Sequence, residues 1–299
     1  MTAVHTEALP LQAGDGHGWQ LLASIPAQPL ATLLWLPAMG VAAKHYRPFA
    51  DALAARGIAT FVHEWRGNGS SNRRASHLHD WGYAELLEMD LPASEAAIAA
   101  RLPDAERIVG GHSLGGQLAC CRLAIAPNSA RRIWLVASGA PYWRAFPRLS
   151  RYALPLAFRF LPWLADRCGA LPGRRLGFAG QEARGVIRDW ARSAVTGRYS
   201  MAVSRGDPAP TEGGHGDSRQ GHGPLVDLEL PMGSVETVVQ AVLLQRDWLA
   251  PASSLRFLLT KMRPVSTRVD VLDATALGAE ADHFEWMKHP HQVVARLMQ

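Results

Sequence analysis

RIVGGHSLGGQLACC, Arg107 to Cys121, sets four glycines and a serine between an apolar run and a helix-like one. Glycine inside a strand or helix weakens it by about 0.5–1 kcal/mol relative to alanine, so so dense a cluster marks a place that needs glycine. Gly111-His112-Ser113-Leu114-Gly115 matches the pattern G-x-S-x-G, and Gly116 extends it. At average glycine usage a chain of this length meets the bare pattern by chance about one time in ten. The context adds weight. The β-like run ends at Gly111 and the helix-like run begins at Gly115, the strand–turn–helix setting in which such a serine stands on a strained, exposed turn. A side chain two residues before or after the serine would collide with the neighbouring strand and helix. The turn also aims the Leu114 N–H and the helix N-terminus at whatever Ser113 attacks, where they favour developing negative charge.

Outward from this stretch, β-like and helix-like runs alternate up to about residue 138. Strands are expected at 19–25, 31–37, 58–65, 107–111 and 131–138, and helices at 46–57 and 81–102. Such alternation implies an α/β fold with a mostly parallel central sheet and helices on both faces. After Gly139 the rhythm breaks. Residues 140–200 are rich in Trp, Phe, Leu and Arg, carry prolines at 141, 147, 155, 162 and 172, and read as several short amphipathic helices. Residues 205–224 are dense in Gly, Pro and polar side chains and read as a mobile loop. Its His215 and His222 find no third partner for a metal site. The rhythm resumes with a strand within 236–251, a helix at 253–262, a strand at 267–272 and a last helix at 291–298. The expected organisation is a core of 1–139 and 236–299, interrupted by a helical cap at 140–235 that contains the 205–224 loop.

The chain has 299 residues, 48% of them hydrophobic, enough for one large core. The N-terminal residues lack a basic segment followed by an apolar one, and no later segment approaches the roughly 18 uninterrupted apolar residues of a membrane span. The expectation is a cytoplasmic protein without an integral membrane segment. The three cysteines, two of them adjacent at 120 and 121, draw neither a disulfide framework nor a CxxC metal site. Charge is uneven. Between Arg144 and Arg198 there are eleven arginines, no lysine and three acids, a net +8 in a chain of net +5. A basic segment can meet nucleic acid, an anionic lipid surface or an acidic ligand. No nucleic-acid motif accompanies it, so a solvated basic face is favoured, and nucleic acid is not expected as a partner.

A serine hydroxyl attacks poorly unless a base takes its proton, and that base must be held in the right tautomer by a third group. In a strand–turn–helix setting of this kind the partners follow in the order Ser, acid, His. Asp247 falls just past the strand within 236–251; Asp227, Asp270 and Asp273 compete, Asp270 from inside a strand pattern and Asp227 from before the strand. His283 falls in the loop before the final helix, with His289 and His291 closer to that helix. A second N–H for a developing oxyanion is expected at Met39, in the loop after the 31–37 strand. The backbone would serve there, so the Met39 side chain is incidental.

These motifs resemble the α/β-hydrolase superfamily, and within it a bacterial group of serine hydrolases. Carrying the likeness are Pro37-Ala38-Met39-Gly40, Arg66-Gly67-Asn68-Gly69-Ser70-Ser71, Gly111 to Gln117, and Tyr142-Trp143-Arg144. It spans most of 15–299 and is weakest over 205–235. Pro37 and Ala38 stand where many hydrolases have His-Gly, and Glu64 stands where an aspartate is usual. The resemblance implies a serine hydrolase needing no cofactor or metal, acting on an ester, thioester or related acyl bond. Catalysis would use Ser113, Asp247 and His283, with the N–H groups of Met39 and Leu114 as the oxyanion hole. The expected partner is a small acyl substrate: residues 152–164 offer an apolar wall for an acyl chain, and the arginines an attraction for an anionic end. An acyltransferase using the same triad and a non-catalytic binding protein on this fold stand as alternatives, and the oligomeric state is open.

Overall fold

The computed structural model describes residues 4–147, 151–177, 179–202 and 224–299. The 205–224 loop expected from sequence, with His215 and His222, lies outside the described residues up to position 223. Eight strands form the main sheet: β1 (Val4–Gln12), β2 (Gly18–Pro26), β3 (Ala31–Leu36), β4 (Ile58–Val62), β5 (Glu106–His112), β6 (Arg132–Val136), β7 (Glu236–Leu244) and β8 (Arg263–Leu272), in the order β1-β2-β4-β3-β5-β6-β7-β8. The β1–β2 and β2–β4 pairs are antiparallel, and every pair from β4 to β8 is parallel. The sheet is therefore mostly parallel, as the alternation implied.

The burial of β3 and β4 explains the continuous apolar runs: every residue of both strands is buried, because helices cover both faces. Along β3, Leu34 and Leu36 join one core, and Leu33 and Trp35 the other. The first core is closed by α2 (Leu91–Arg101), α3 (Leu114–Ile125) and α6 (Ala252–Leu259), the second by α1 (Arg47–Ala54) and α7 (His291–Leu297). The helix expected over 81–102 is in fact segmented. A short turn at Tyr83–Glu85 runs through a wider, π-type turn at Leu86–Asp90 before α2 begins.

Between β6 and β7 the chain leaves the sheet. There α4 (Leu154–Cys168) and α5 (Arg184–Thr196) pack together through Phe158, Ala191 and Ala194, with Phe158 edge-on to Trp190. These are helices of 15 and 13 residues, longer than the several short ones expected. Pro155 occupies the first turn of α4, where a missing N–H is no loss, and Pro162 is absorbed within it. The apolar side chains of 152–164 divide between two faces of α4. Phe158 points inward, whereas Leu156, Phe160 and Trp163 face solvent. Among the described residues no helix is long and apolar enough to cross a membrane.

Charge is also buried beneath the sheet's antiparallel edge. Arg66 donates to both oxygens of Asp90, at 2.7 and 2.8 Å, and at 2.6 Å to Asp15 in the β1–β2 turn. His17 bridges Asp90 and Ser71 at 3.0 Å each. Burial alone would raise the Asp90 carboxyl, but the hydrogen bonds from His17 and Arg66 outweigh it and hold the group below its ordinary value. Breaking such a buried pair strands a charge and costs about 3–5 kcal/mol. Arg66→Met is accordingly expected to lower stability by that amount in urea unfolding, whereas Arg101→Met, at an exposed pair with Glu7, is expected to change it by less than about 1 kcal/mol.

Candidate active site

Ser113 sits between β5 and α3 with φ 54° and ψ −119°, a left-handed conformation that a non-glycine residue adopts only when its surroundings impose it. The surroundings are glycine. A Cβ on Gly115 would overlap the carbonyl oxygens of Leu36 and Pro37, one on Gly111 would overlap the Gly115 and Gly116 backbone, and one on Gly116 would overlap the Ser138 hydroxyl. The turn is then pinned from β6 and just beyond. The Ser113 N–H donates to Val136 O at 3.2 Å, and Ser138 Oγ donates to Ser113 O at 2.8 Å.

Asp247 lies three residues beyond β7, and His283 lies between β8 and α7. His283 Nδ1 donates to Asp247 Oδ2 at 2.7 Å, with both residues 6% exposed. Asp247 Oδ1 accepts the N–H groups of Leu249 and Ala250 at 2.9 and 3.1 Å, so the carboxylate cannot turn away. His283 is held from the other side, because Trp286 Nε1 donates to its carbonyl at 3.1 Å. A carboxylate accepts only, so the shared proton belongs to Nδ1 and the Nε2 lone pair is left free. The His283 ring lies 4.7 Å, centroid to centroid, from that of His112, the residue before Ser113. The Ser113 hydroxyl itself makes no hydrogen bond among the described residues; such contacts commonly tighten only when substrate binds.

The competing residues are engaged elsewhere. Asp227 pairs with Arg198, Asp270 with Arg268, and Asp273 caps a helical turn through the Ala276 N–H. His289 approaches Glu285, and His291 opens α7 at the surface. Met39 follows β3, in a loop where Gly40 turns with φ +74°. Neither the Met39 nor the Leu114 N–H finds an acceptor among the described residues.

Sequence reasoning missed what holds this loop. Tyr46 Oη accepts the Ala38 N–H at 2.9 Å and lies 2.8 Å from His112 Nδ1. The tyrosine hydroxyl is thus shared between the backbone of this loop and the ring of the residue before Ser113. Burial, and next to it the charge His283 can carry, keep His112 far below its ordinary pKa and hence neutral. Trp65 Nε1 donates to Pro37 O at 2.8 Å. Glu64, the departure from the usual aspartate, accepts the Ala43 and Ser70 N–H groups at 2.9 and 3.2 Å and fills the space a Gly69 side chain would need. Its longer arm ties the segment after Gly40 to the Arg66–Ser71 turn.

The segment between β6 and β7 also reaches this loop. The backbone of Gly180 lies where a Gly40 Cβ would sit, and the Gly180 N–H donates to Glu182 Oε1 at 3.0 Å. Glu182 is buried, and burial pushes its carboxyl up to about 7 against the opposing effects of that N–H and of Arg174. Among the described residues no three His, Cys, Asp or Glu side chains are placed to hold a metal ion.

Residues 27–190 match the family model described as serine aminopeptidase, S33. No curated protein matches the sequence. Solved structures resemble the fold at low identity. A hydrolase from Pseudomonas aeruginosa aligns over 98% of this chain and 97% of its own, with a TM-score of 0.57 at 16% identity. The thioesterase domain of the curacin biosynthetic pathway aligns over 99% and 100%, with a TM-score of 0.56 at 14% identity. The metagenome-derived lipolytic enzymes LipS and LipT are represented at 93% and 95% coverage, with a TM-score of 0.60 at 12% identity. The shared architecture is the α/β-hydrolase fold.

A raised carboxyl favours the folded state only while protonated, so Glu182 imposes no penalty below its unfolded value of 4.5 and its full penalty above about 7. Glu182→Gln retains an acceptor for the Gly180 N–H. Urea unfolding is expected to find it equal to wild type near pH 4 and about 3 kcal/mol more stable near pH 8.

Proposed function

The chain belongs to the serine aminopeptidase S33 family of hydrolases, and from that premise we propose that it is a serine hydrolase cleaving an ester, thioester or related acyl bond through an acyl-enzyme. The observation that carries this conclusion is the buried His283 Nδ1 to Asp247 Oδ2 hydrogen bond of 2.7 Å. It fixes the tautomer a general base needs and sits beside the turn that bears Ser113.

In the proposed cycle His283 Nε2 takes the Ser113 proton as Oγ forms a bond to the acyl carbon, and the carbonyl π electrons move onto oxygen. The N–H groups of Met39 and Leu114, free of other acceptors, would receive that oxyanion, a contribution of about 2.7–4 kcal/mol per donor in sites of this kind. Collapse breaks the bond to the leaving group, which receives the proton from Nε2. Water then repeats the sequence: it loses a proton to Nε2, attacks the acyl carbon, and Ser113 leaves with that proton. Asp247 stabilises the imidazolium in both halves and keeps Nδ1 protonated. The neutral His112 leaves that imidazolium without a like charge at its side. An esterase of this class acts on a small acyl substrate and needs no metal or cofactor. The arginines between β6 and β7 extend the proposal to substrates with an anionic end.

Hydrolysis of p-nitrophenyl butyrate tests the assignment. Ser113→Ala is expected to abolish turnover, and Asp247→Asn to lower kcat by about 10⁴-fold, as loss of the correct tautomer does in other Ser-His-Asp sites. Met39→Ala, which keeps the backbone N–H, is expected to stay within about threefold of wild type, since one lost donor would cost a hundredfold or more. Asp247→Asn turnover equal to wild type would remove Asp247 from its proposed role of orienting the base.

A further inference from the structure

The outer face of α4 is apolar where a surface helix is normally polar. Leu156, Phe160 and Trp163 recur at helical spacing and are 69%, 50% and 55% exposed. The Phe160 and Trp163 rings lie 5.5 Å apart and form one continuous patch. Their exposure is not a failure of packing, since α4 already has a buried side: Phe158 and Ala165 are buried, and Leu161 and Leu164 pack on the main core. Tyr152, 76% exposed, extends the patch just ahead of the helix. Exposed apolar residues are ordinary when scattered, but a contiguous set calls for a partner.

Charge on the same face says which partner. Arg159 and Arg167 share the exposed side of α4, and Arg174 and Arg175 follow on the next helical turn, Gly173–Leu176. None of the four makes an ion pair with a described residue. Asp166, the acid on this side of α4, is already committed to Arg188. Arg159 and Arg167, without an ion pair among the described residues and set around Leu, Phe and Trp, give the composition of a helix that lies in a lipid headgroup layer, with the apolar side chains in the acyl boundary and the cations on phosphate. Trp suits that depth, because its ring is apolar and its N–H is polar. A second copy fits less well: a two-fold contact through this face would set its arginines against their own equivalents.

We infer that the Leu156–Phe160–Trp163 face of α4, with Arg159 and Arg167, is a docking surface for anionic lipid bilayers. It holds the protein by a shallow interfacial contact, without a spanning segment. Docking does not depend on the catalytic assignment, and its readout is physical association.

Co-sedimentation with vesicles of phosphatidylcholine, alone or with about one-third phosphatidylglycerol, tests the inference. The full chain is expected to bind the mixed vesicles, and to bind them several-fold less when salt is raised well above the physiological range. Leu156→Ser/Phe160→Ser/Trp163→Ser is expected to lower binding about tenfold or more, with an unchanged thermal midpoint as the check on folding. Arg159→Glu/Arg167→Glu, which leaves the apolar patch intact, is expected to abolish the preference for phosphatidylglycerol. Three results would overturn the inference: no binding of wild type to either vesicle, equal binding by the triple variant, or a concentration-dependent dimer that the triple variant dissolves. The last would assign the face to a second copy of the chain.

Discussion

The backbone at Ser113 is the constraint around which the rest is arranged. Turning from β5 into α3 within one residue requires φ 54° and ψ −119° at a residue with a Cβ, a conformation that costs of order 1–3 kcal/mol. It persists because strand and helix approach so closely that only glycine fits at 111, 115 and 116. Gly115 meets the Leu36 and Pro37 carbonyls, so the missing side chain there also fixes the start of the loop that carries Met39. One local strain thus sets two distant segments against each other.

Polar groups beneath that turn do what apolar packing cannot, which is to fix direction. Tyr46 holds the Ala38 amide and the His112 ring together, Glu64 joins the 43 and 70 amides, and Arg66 ties the β1–β2 turn to Asp90. Each of these groups is buried and would be a liability alone; each is satisfied by named partners. His112 and His63 are both kept neutral by burial, His63 with its pKa down to about 3. Acid therefore threatens this architecture from the side of these histidines, which must charge, and of Asp90, which must lose its charge.

Much of the core was legible because its signals are local. Continuous apolar runs mark β3, β4 and β6, and the glycine cluster marks the turn between β5 and α3. β1 was not legible. Its sequence, VHTEALPLQ, alternates half-buried with exposed positions, as an edge strand does, and carries no apolar run. The segmented helix over 83–101 was equally hidden, since its π-type turn ends at Asp90, whose partners Arg66 and His17 come from elsewhere in the chain. Tyr46 read only as an apolar helix position, and Glu182 as one acid in a basic segment; what distinguishes them is burial against the 37–40 loop, a tertiary fact. Residues 152–164 were legible in composition but not in orientation. Their apolar content was plain, but periodicity alone does not say which face of a helix looks inward: Phe158 is buried, whereas Leu156, Phe160 and Trp163 are exposed.

The central claim is that Ser113 is a nucleophile activated by the histidine that Asp247 holds. It is tested most directly by treating the native protein with a fluorophosphonate, digesting it and mapping the modified peptide by mass spectrometry. The account predicts a single phosphonyl adduct on Ser113 that fails to form in Ser113→Ala and forms far more slowly in His283→Ala. An adduct on another residue, or labelling undiminished in Ser113→Ala, would contradict it.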